Sequence, residues 1–208
     1  GPEPDRAGAG VKVEESAAGD ARGEDVEQRL LEQAGGRAGA AAGARAAAGR
    51  GEEHRSAFQE AGLDLWLLEV GLGGRLDAVN IVDCDVAVLT TVALDHQDYL
   101  GDTLELIGAE KAGIFRPDCP AVLGSEQLPA SVKKIAAELN ARVFQLGQDY
   151  FRSLPQQNGW QWQGLDQQRQ PKQWADLPVN NLPADNAATA VQALLLACPD
   201  ITHQAIVE

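Results

Sequence analysis

Glu69, His96 and Lys111 are the residues of this chain whose types and positions could do chemistry together. Glu69 closes an apolar run, Leu65 to Leu68, and is followed at once by Gly71, Gly73 and Gly74. An apolar run bounded by turn signals reads as a buried parallel strand. Ligands in open α/β sheets bind beyond the carboxyl ends of the strands. A carboxylate at such an end, followed by bare backbone, suits a cation or a phosphate-bearing ligand. His96 lies in Ala93-Leu94-Asp95-His96-Gln97-Asp98-Tyr99-Leu100-Gly101, a loop that follows a second strand candidate, Asp85 to Val92. If the two strands are near neighbours, Glu69 and His96 converge, and carboxylate with imidazole can hold a divalent ion. A lone loop histidine is as readily an ordinary polar residue. Lys111 falls on a helical stripe with Leu104, Ile107 and Ile114. Burial favours a lysine's neutral, nucleophilic amine, although the same spacing suits a lysine that snorkels from the stripe's edge.

Two familiar glycine motifs compete for the segment after Glu69. The dinucleotide pattern G-x-G-x-x-G requires glycine at 76, where Leu76 stands. A methyl-donor loop, acidic-x-G-x-G-x-G, requires glycine at 75, where Arg75 stands; it leaves a methyltransferase-like nucleotide-binding domain as an alternative. The full string Leu67-Leu68-Glu69-Val70-Gly71-Leu72-Gly73-Gly74-Arg75-Leu76-Asp77-Ala78-Val79-Asn80 resembles the signature of the folylpolyglutamate synthase/dihydrofolate synthase family, within the Mur-ligase-like ATP-dependent amide ligases. Leu94-Asp95-His96 with Leu100-Gly101, Glu110-Lys111-Ala112-Gly113-Ile114-Phe115 and Asn186-Ala187-Ala188 resemble further motifs of that family, in the same order.

The resemblance implies magnesium ligands at Glu69 and His96, a carbamylated lysine at Lys111 and a nucleotide contact at Asn186, which by position alone is a helix N-cap. It implies ATP and Mg2+ as cofactors, with dihydropteroate or folates and L-glutamate as substrates. In the reaction that the resemblance implies, a folate carboxylate is activated by phosphoryl transfer from ATP and the glutamate amine attacks the acyl phosphate. Asp77 and Asn80 are expected to hold the glycine loop by local hydrogen bonds. The family's phosphate loop, G-T-x-G-K-G-S, is missing, and no G-K-[ST] occurs anywhere in the chain. The expectation is therefore a fragment lacking ligase activity, or a non-catalytic remnant.

The elements that must position these residues begin near Phe58. Residues 58–208 read as a partial Mur-ligase-like central ATPase domain of α/β class, a mostly parallel sheet flanked by helices. Strands are expected at 64–70, 85–92, 119–123 and 142–146, and helices at about 102–116, 129–140 and 187–198, with a last short helix after Thr202 whose abrupt end suggests truncation. Asp102 with Glu105 gives a capping-box-like helix start. Asn158-Gly159, between Tyr150-Phe151 and the pair Trp160 and Trp162, predicts a small antiparallel hairpin on a sheet edge. Residues 1–57 have no aromatic residue and few branched aliphatics. They bury too little apolar surface to offset ordering entropy and are expected to be a disordered tail, with a helix over 24–34 at most. A frame-shifted or wrongly joined reading would explain that tail, with a natural flexible extension as the alternative. The formal charge of −14 opposes nucleic-acid binding. Cys84, Cys119 and Cys198 are sparse and odd in number, as in a reducing cytoplasm. No apolar run has membrane-spanning length, and a monomer is expected.

Overall fold

Val86–Leu89 is buried at every position, because both faces of the sheet it belongs to are covered. The computed structural model describes residues 9–14 (backbone only), 65–154, 159–179 and 181–207. Five parallel strands form the main sheet in the order β2-β1-β3-β4-β5: β1 Ala9–Glu14, β2 Leu65–Glu69, β3 Val86–Leu89, β4 Pro120–Leu123 and β5 Arg142–Gln145. The four strands expected from the sequence are present. The helices are α1 Gln97–Leu100, α2 Leu104–Ala112, α3 Ala130–Glu138, α4 Ala184–Ala197 and α5 His203–Val207.

Side-chain alternation divides the core into two layers. Val86, Val88, Val122 and Phe144 face α4, packing with Ala188, Val191, Leu195 and Leu196. Ala87, Leu89, Ala121 and Leu123 share the other layer with Ala112, Ile114, Phe115, Val132 and Ala136, on and after α2 and on α3.

Three features differ from the sequence expectations. First, Ala9–Glu14 is a strand at the centre of the sheet, paired in parallel with both β2 and β3, with Val13 in register with Glu69 and with Val88. The short run Gly10-Val11-Lys12-Val13 carries little hydrophobic signal by itself; its place depends on two apolar neighbours. The helix considered over 24–34 lies outside the described residues.

Second, the antiparallel segment is a sheet of its own with three strands, β6 Phe151–Arg152, β7 Trp160–Leu165 and β8 Pro171–Leu177, and not an edge hairpin. Trp160 and Trp162 turn inward on β7 and bury against the α4 layer. Asn158 lies outside the described residues. The β7–β8 turn carries no glycine or proline. Asp166 makes it, its Oδ1 accepting from the N–H groups of Gln168 and Gln170 while Arg169 takes a left-handed conformation.

Third, α2 starts at Thr103, whose hydroxyl accepts from Leu106 N at 3.2 Å. Leu104 is 43% exposed and leaves the inward stripe, whereas Ile107 and Ile114 are fully buried. Glu105 does not close a capping box. Its carboxylate instead caps the next helix, α3, accepting from Ala130 N at 3.0 Å and Ser131 N at 2.7 Å, where the N-cap residue Pro129 offers no side-chain acceptor.

The N–H of Ser131 first, and that of Ala130 next, hold the Glu105 carboxyl below the usual carboxylate range. A carboxylate with a depressed folded pKa stabilises the fold above its unfolded value, about 4.3. That contribution is lost as pH falls through the folded value. Glu105→Gln should therefore lower the urea midpoint at pH 7, and the gap from wild type should close below about pH 4. An undiminished gap at pH 3 would contradict this capping role.

Candidate functional site

Glu69 is the last residue of β2 and is exposed at its carboxyl end. The chain then turns through a loop that one carboxylate organises. Asp77 Oδ2 accepts from Gly71 N and Leu72 N, both at 3.1 Å, and its Oδ1 accepts from Val79 N at 2.9 Å. The local role expected of Asp77 is thus present. Asn80 makes one such local bond, its amide donating to Arg75 O (3.1 Å), and adds a long-range one to Gly113 O (3.0 Å).

The loop is fastened to the C-terminal end of α2. Arg75 N donates to Glu110 O at 2.9 Å, and the Arg75 guanidinium holds Glu110 Oε1 through Nε (3.0 Å) and Nη2 (2.9 Å). Arg116 closes the far side by donating from Nη2 to Asn80 O at 2.7 Å. Two glycines permit this approach. A Cβ on Gly74 would lie 2.7 Å from Glu110 O and 2.8 Å from Lys111 O, and one on Gly113 would lie 2.4 Å from Arg75 Cβ. Lys111, in the last turn of α2, is only 6% exposed and so sits buried beside the loop that leaves Glu69.

His96 begins α1 in a left-handed conformation, φ 49° and ψ 40°. Its backbone N–H donates to Asp95 Oδ1 at 2.7 Å, and its exposed ring lies 3.7 Å from Asp95 Oδ2. A Cβ on Gly73 (φ +74°) would meet Leu100 Cδ2, in α1, at 3.0 Å. The glycine loop therefore lies against both α1, which follows His96, and the end of α2 that holds Lys111. The strands of Glu69 and His96 are not adjacent, since β1 runs between them, a separation of about 10 Å for two strand spacings. Asn186 stands apart from these three. It is half-buried in the first turn of α4 and is not the helix N-cap its position suggested, since the helix begins two residues earlier with Pro183 at the N-cap; it lies on the opposite face of the sheet from α2.

Among the described residues no three His, Cys, Asp or Glu side chains form a metal-holding group. One carboxylate and one imidazole still fit a divalent ion that keeps waters and takes its other ligands from phosphate oxygens, as magnesium does. Manganese suits the same oxygen and imidazole donors.

No protein-family model matches the chain. It is similar to the dihydrofolate synthase/folylpolyglutamate synthase of Haemophilus influenzae, 42% identical over 149 residues, which is 72% of this chain and 33% of that protein. The chain belongs to the folylpolyglutamate synthase/dihydrofolate synthase family. Its fold agrees with that of Escherichia coli FolC in complex with ADP, at 42% identity and a TM-score of 0.66 over 72% of this chain and 35% of the other. The bifunctional synthase of Yersinia pestis complexed with AMPPNP and Mn ion is 47% identical, with a TM-score of 0.65 over 73% of this chain and 35% of the other. This folylpolyglutamate synthase-like chain spans about a third of the length of the curated relatives it matches. No helix among the described residues is long and apolar enough to cross a membrane.

The two loop glycines make opposite predictions. Gly74→Ala drives a Cβ into backbone carbonyls and should destabilise the chain by about 1–3 kcal/mol in urea melts. Gly71→Ala meets nothing closer than Asp77 Oδ2 at 3.5 Å and should cost far less. Equal costs would mean that the loop is not seated on α2.

Proposed function

We propose that this chain carries part of the central domain of an ATP-dependent carbon–nitrogen ligase that joins L-glutamate to dihydropteroate or a folate, and that the chain alone does not turn over. The observation that carries the first part is the fastening of the Glu69–Asn80 loop to α2, which holds a strand-end carboxylate beside the helix of a buried lysine and against the helix that follows an exposed histidine.

In this reading Glu69 and His96 hold Mg2+ from the edge of the sheet. When bound, the ion neutralises charge on the phosphoryl group that activates the folate carboxylate. Lys111 is the candidate carbamate: the ammonium first loses one proton, and the neutral amine then adds CO2 with release of a second, so a cation becomes an anion suited to the ion beside it. Asn186 contacts the nucleotide from the start of α4. The family relatives solved with ADP, and with AMPPNP and Mn ion, support a nucleotide and a divalent ion as the cofactors. Cys84, Cys119 and Cys198, none of them in a disulfide, agree with a cytoplasmic setting.

The residues present do not fit the phosphate tail of ATP. The chain has no G-K-[ST], and the sequence after β1 continues Glu15-Ser16-Ala17-Ala18-Gly19-Asp20, with no lysine. A backbone cradle and its lysine supply most of the electrostatic preorganisation on which phosphoryl transfer relies, and this is why the chain is read as inactive.

Two measurements test the two parts. A coupled ADP-release assay with dihydropteroate or folate and L-glutamate should stay at background; substrate-dependent release abolished by Glu69→Ala would overturn the inactivity. Electron paramagnetic resonance titration with Mn2+ should show binding weakened about tenfold or more by Glu69→Ala and by His96→Ala. Unchanged Mn2+ binding in both variants would remove the metal assignment.

A further inference from the structure

Asn186 is placed by residues from outside its helix. The N-cap residue of α4 is Pro183, which makes no side-chain cap hydrogen bond, so the first turn of α4 is not fixed by a cap of its own. Three contacts from elsewhere fix it. The fully buried Tyr150 hydroxyl lies 3.0 Å from Leu123 O, which it donates to, and 2.9 Å from Thr189 Oγ1. Thr189 Oγ1 in turn lies 2.7 Å from Asp185 O. With Tyr150 donating to Leu123 O, the Thr189 proton goes either to the Tyr150 oxygen or to Asp185 O, so two hydroxyl protons make two of the three contacts at a time, and the path through Tyr150 links the end of β4 to the first turns of α4. Burial pushes the Tyr150 phenol far above its usual range, so it remains a donor. Arg152 in β6 makes the second tie, Nε to Asp185 Oδ1 at 2.6 Å. Gly124 makes the third contact by having no side chain: a Cβ there would lie 2.9 Å from Thr189 Oγ1 and 3.0 Å from Thr90 Cα. Asp185 and Thr189 flank Asn186 on α4, one residue before it and three after.

We propose that Tyr150 and Arg152 are positioning residues for Asn186, so that the segment leading into the antiparallel sheet sets how tightly this chain holds the nucleoside end of an adenine nucleotide. The proposal rests on the reading of Asn186 as the nucleotide contact. A nucleotide can be gripped at this end even where its phosphates lack a cradle, because the two ends are held by different elements. The tie acts through Asn186: loosening the first turn of α4 misplaces that amide.

The test is binding of the fluorescent nucleotide mant-ADP to the full chain, with thermal melting as a check on folding. Asn186→Ala should weaken binding about tenfold, and Tyr150→Phe or Arg152→Ala about fivefold, the loss expected when roughly one net hydrogen bond is removed. In the Asn186→Ala background Tyr150→Phe should add nothing. Thr189→Ser, which keeps the oxygen, should bind as wild type, and Arg152→Lys should recover part of the loss. If Tyr150→Phe fails to fold, the Arg152 pair and the Thr189→Ser comparison carry the test. A Tyr150→Phe or Arg152→Ala loss that persists undiminished without Asn186, or no loss in either variant, overturns the proposal and leaves the reading of Asn186 intact. Wild-type affinity in Asn186→Ala, or no binding by the wild type, overturns that reading and the proposal with it.

Discussion

The seating of Gly74 against the carbonyls of Glu110 and Lys111 is the contact on which the rest of the site depends. It lets the loop leaving the Glu69 strand lie directly on the helix of Lys111 with no side chain between them. Every hydrogen bond around it reinforces the same approach: Asp77 shapes the loop from inside, Arg75 and Glu110 pair across it, and Asn80 with Arg116 closes it beyond Gly113. The arrangement is local and polar, yet its effect is to fix a strand end relative to a helix end. A flexible loop could not hold a strand end against a helix end in this way.

A second set of contacts does the same for α4 on the opposite face of the sheet. There the tie runs through Tyr150, Thr189 and Arg152, from a segment that contributes no motif. Helix starts in this chain are held from elsewhere: the first N–H groups of α3 donate to Glu105 of the preceding helix, and the Asp185 side chain in the first turn of α4 pairs with Arg152 of β6. Both Pro129 and Pro183 occupy N-cap positions without a side-chain acceptor, which leaves each helix to be placed by its neighbours.

The sequence made the parallel strands legible because Leu65–Leu68 and Val86–Leu89 are short apolar runs with turn signals on both sides, and the helices legible through spacing rather than caps. The roles of Asp77 and Asn80 were also readable, since both sit inside a string whose glycines demand local support. Ala9–Glu14 was not legible: six residues with a lysine and a glutamate read as tail until two apolar strands are found to flank them. The turn at Asp166–Gln170 was hidden because an aspartate side chain and a left-handed arginine replace the usual glycine. Glu105 looked like a cap for its own helix, and only tertiary packing shows it capping the next one. Tyr150 and Arg152 carried no signal, since their partners are 39 and 33 residues away in sequence.

The central claim is that the glycine loop brings Glu69 and His96 to one divalent-ion site at the edge of the sheet. Crystals of the chain soaked in MnCl2 and measured at an anomalous wavelength would test it most directly. The account predicts one manganese peak in contact with both the Glu69 carboxylate and the His96 imidazole. Manganese bound to only one of them, or found only elsewhere on the molecule, would contradict it.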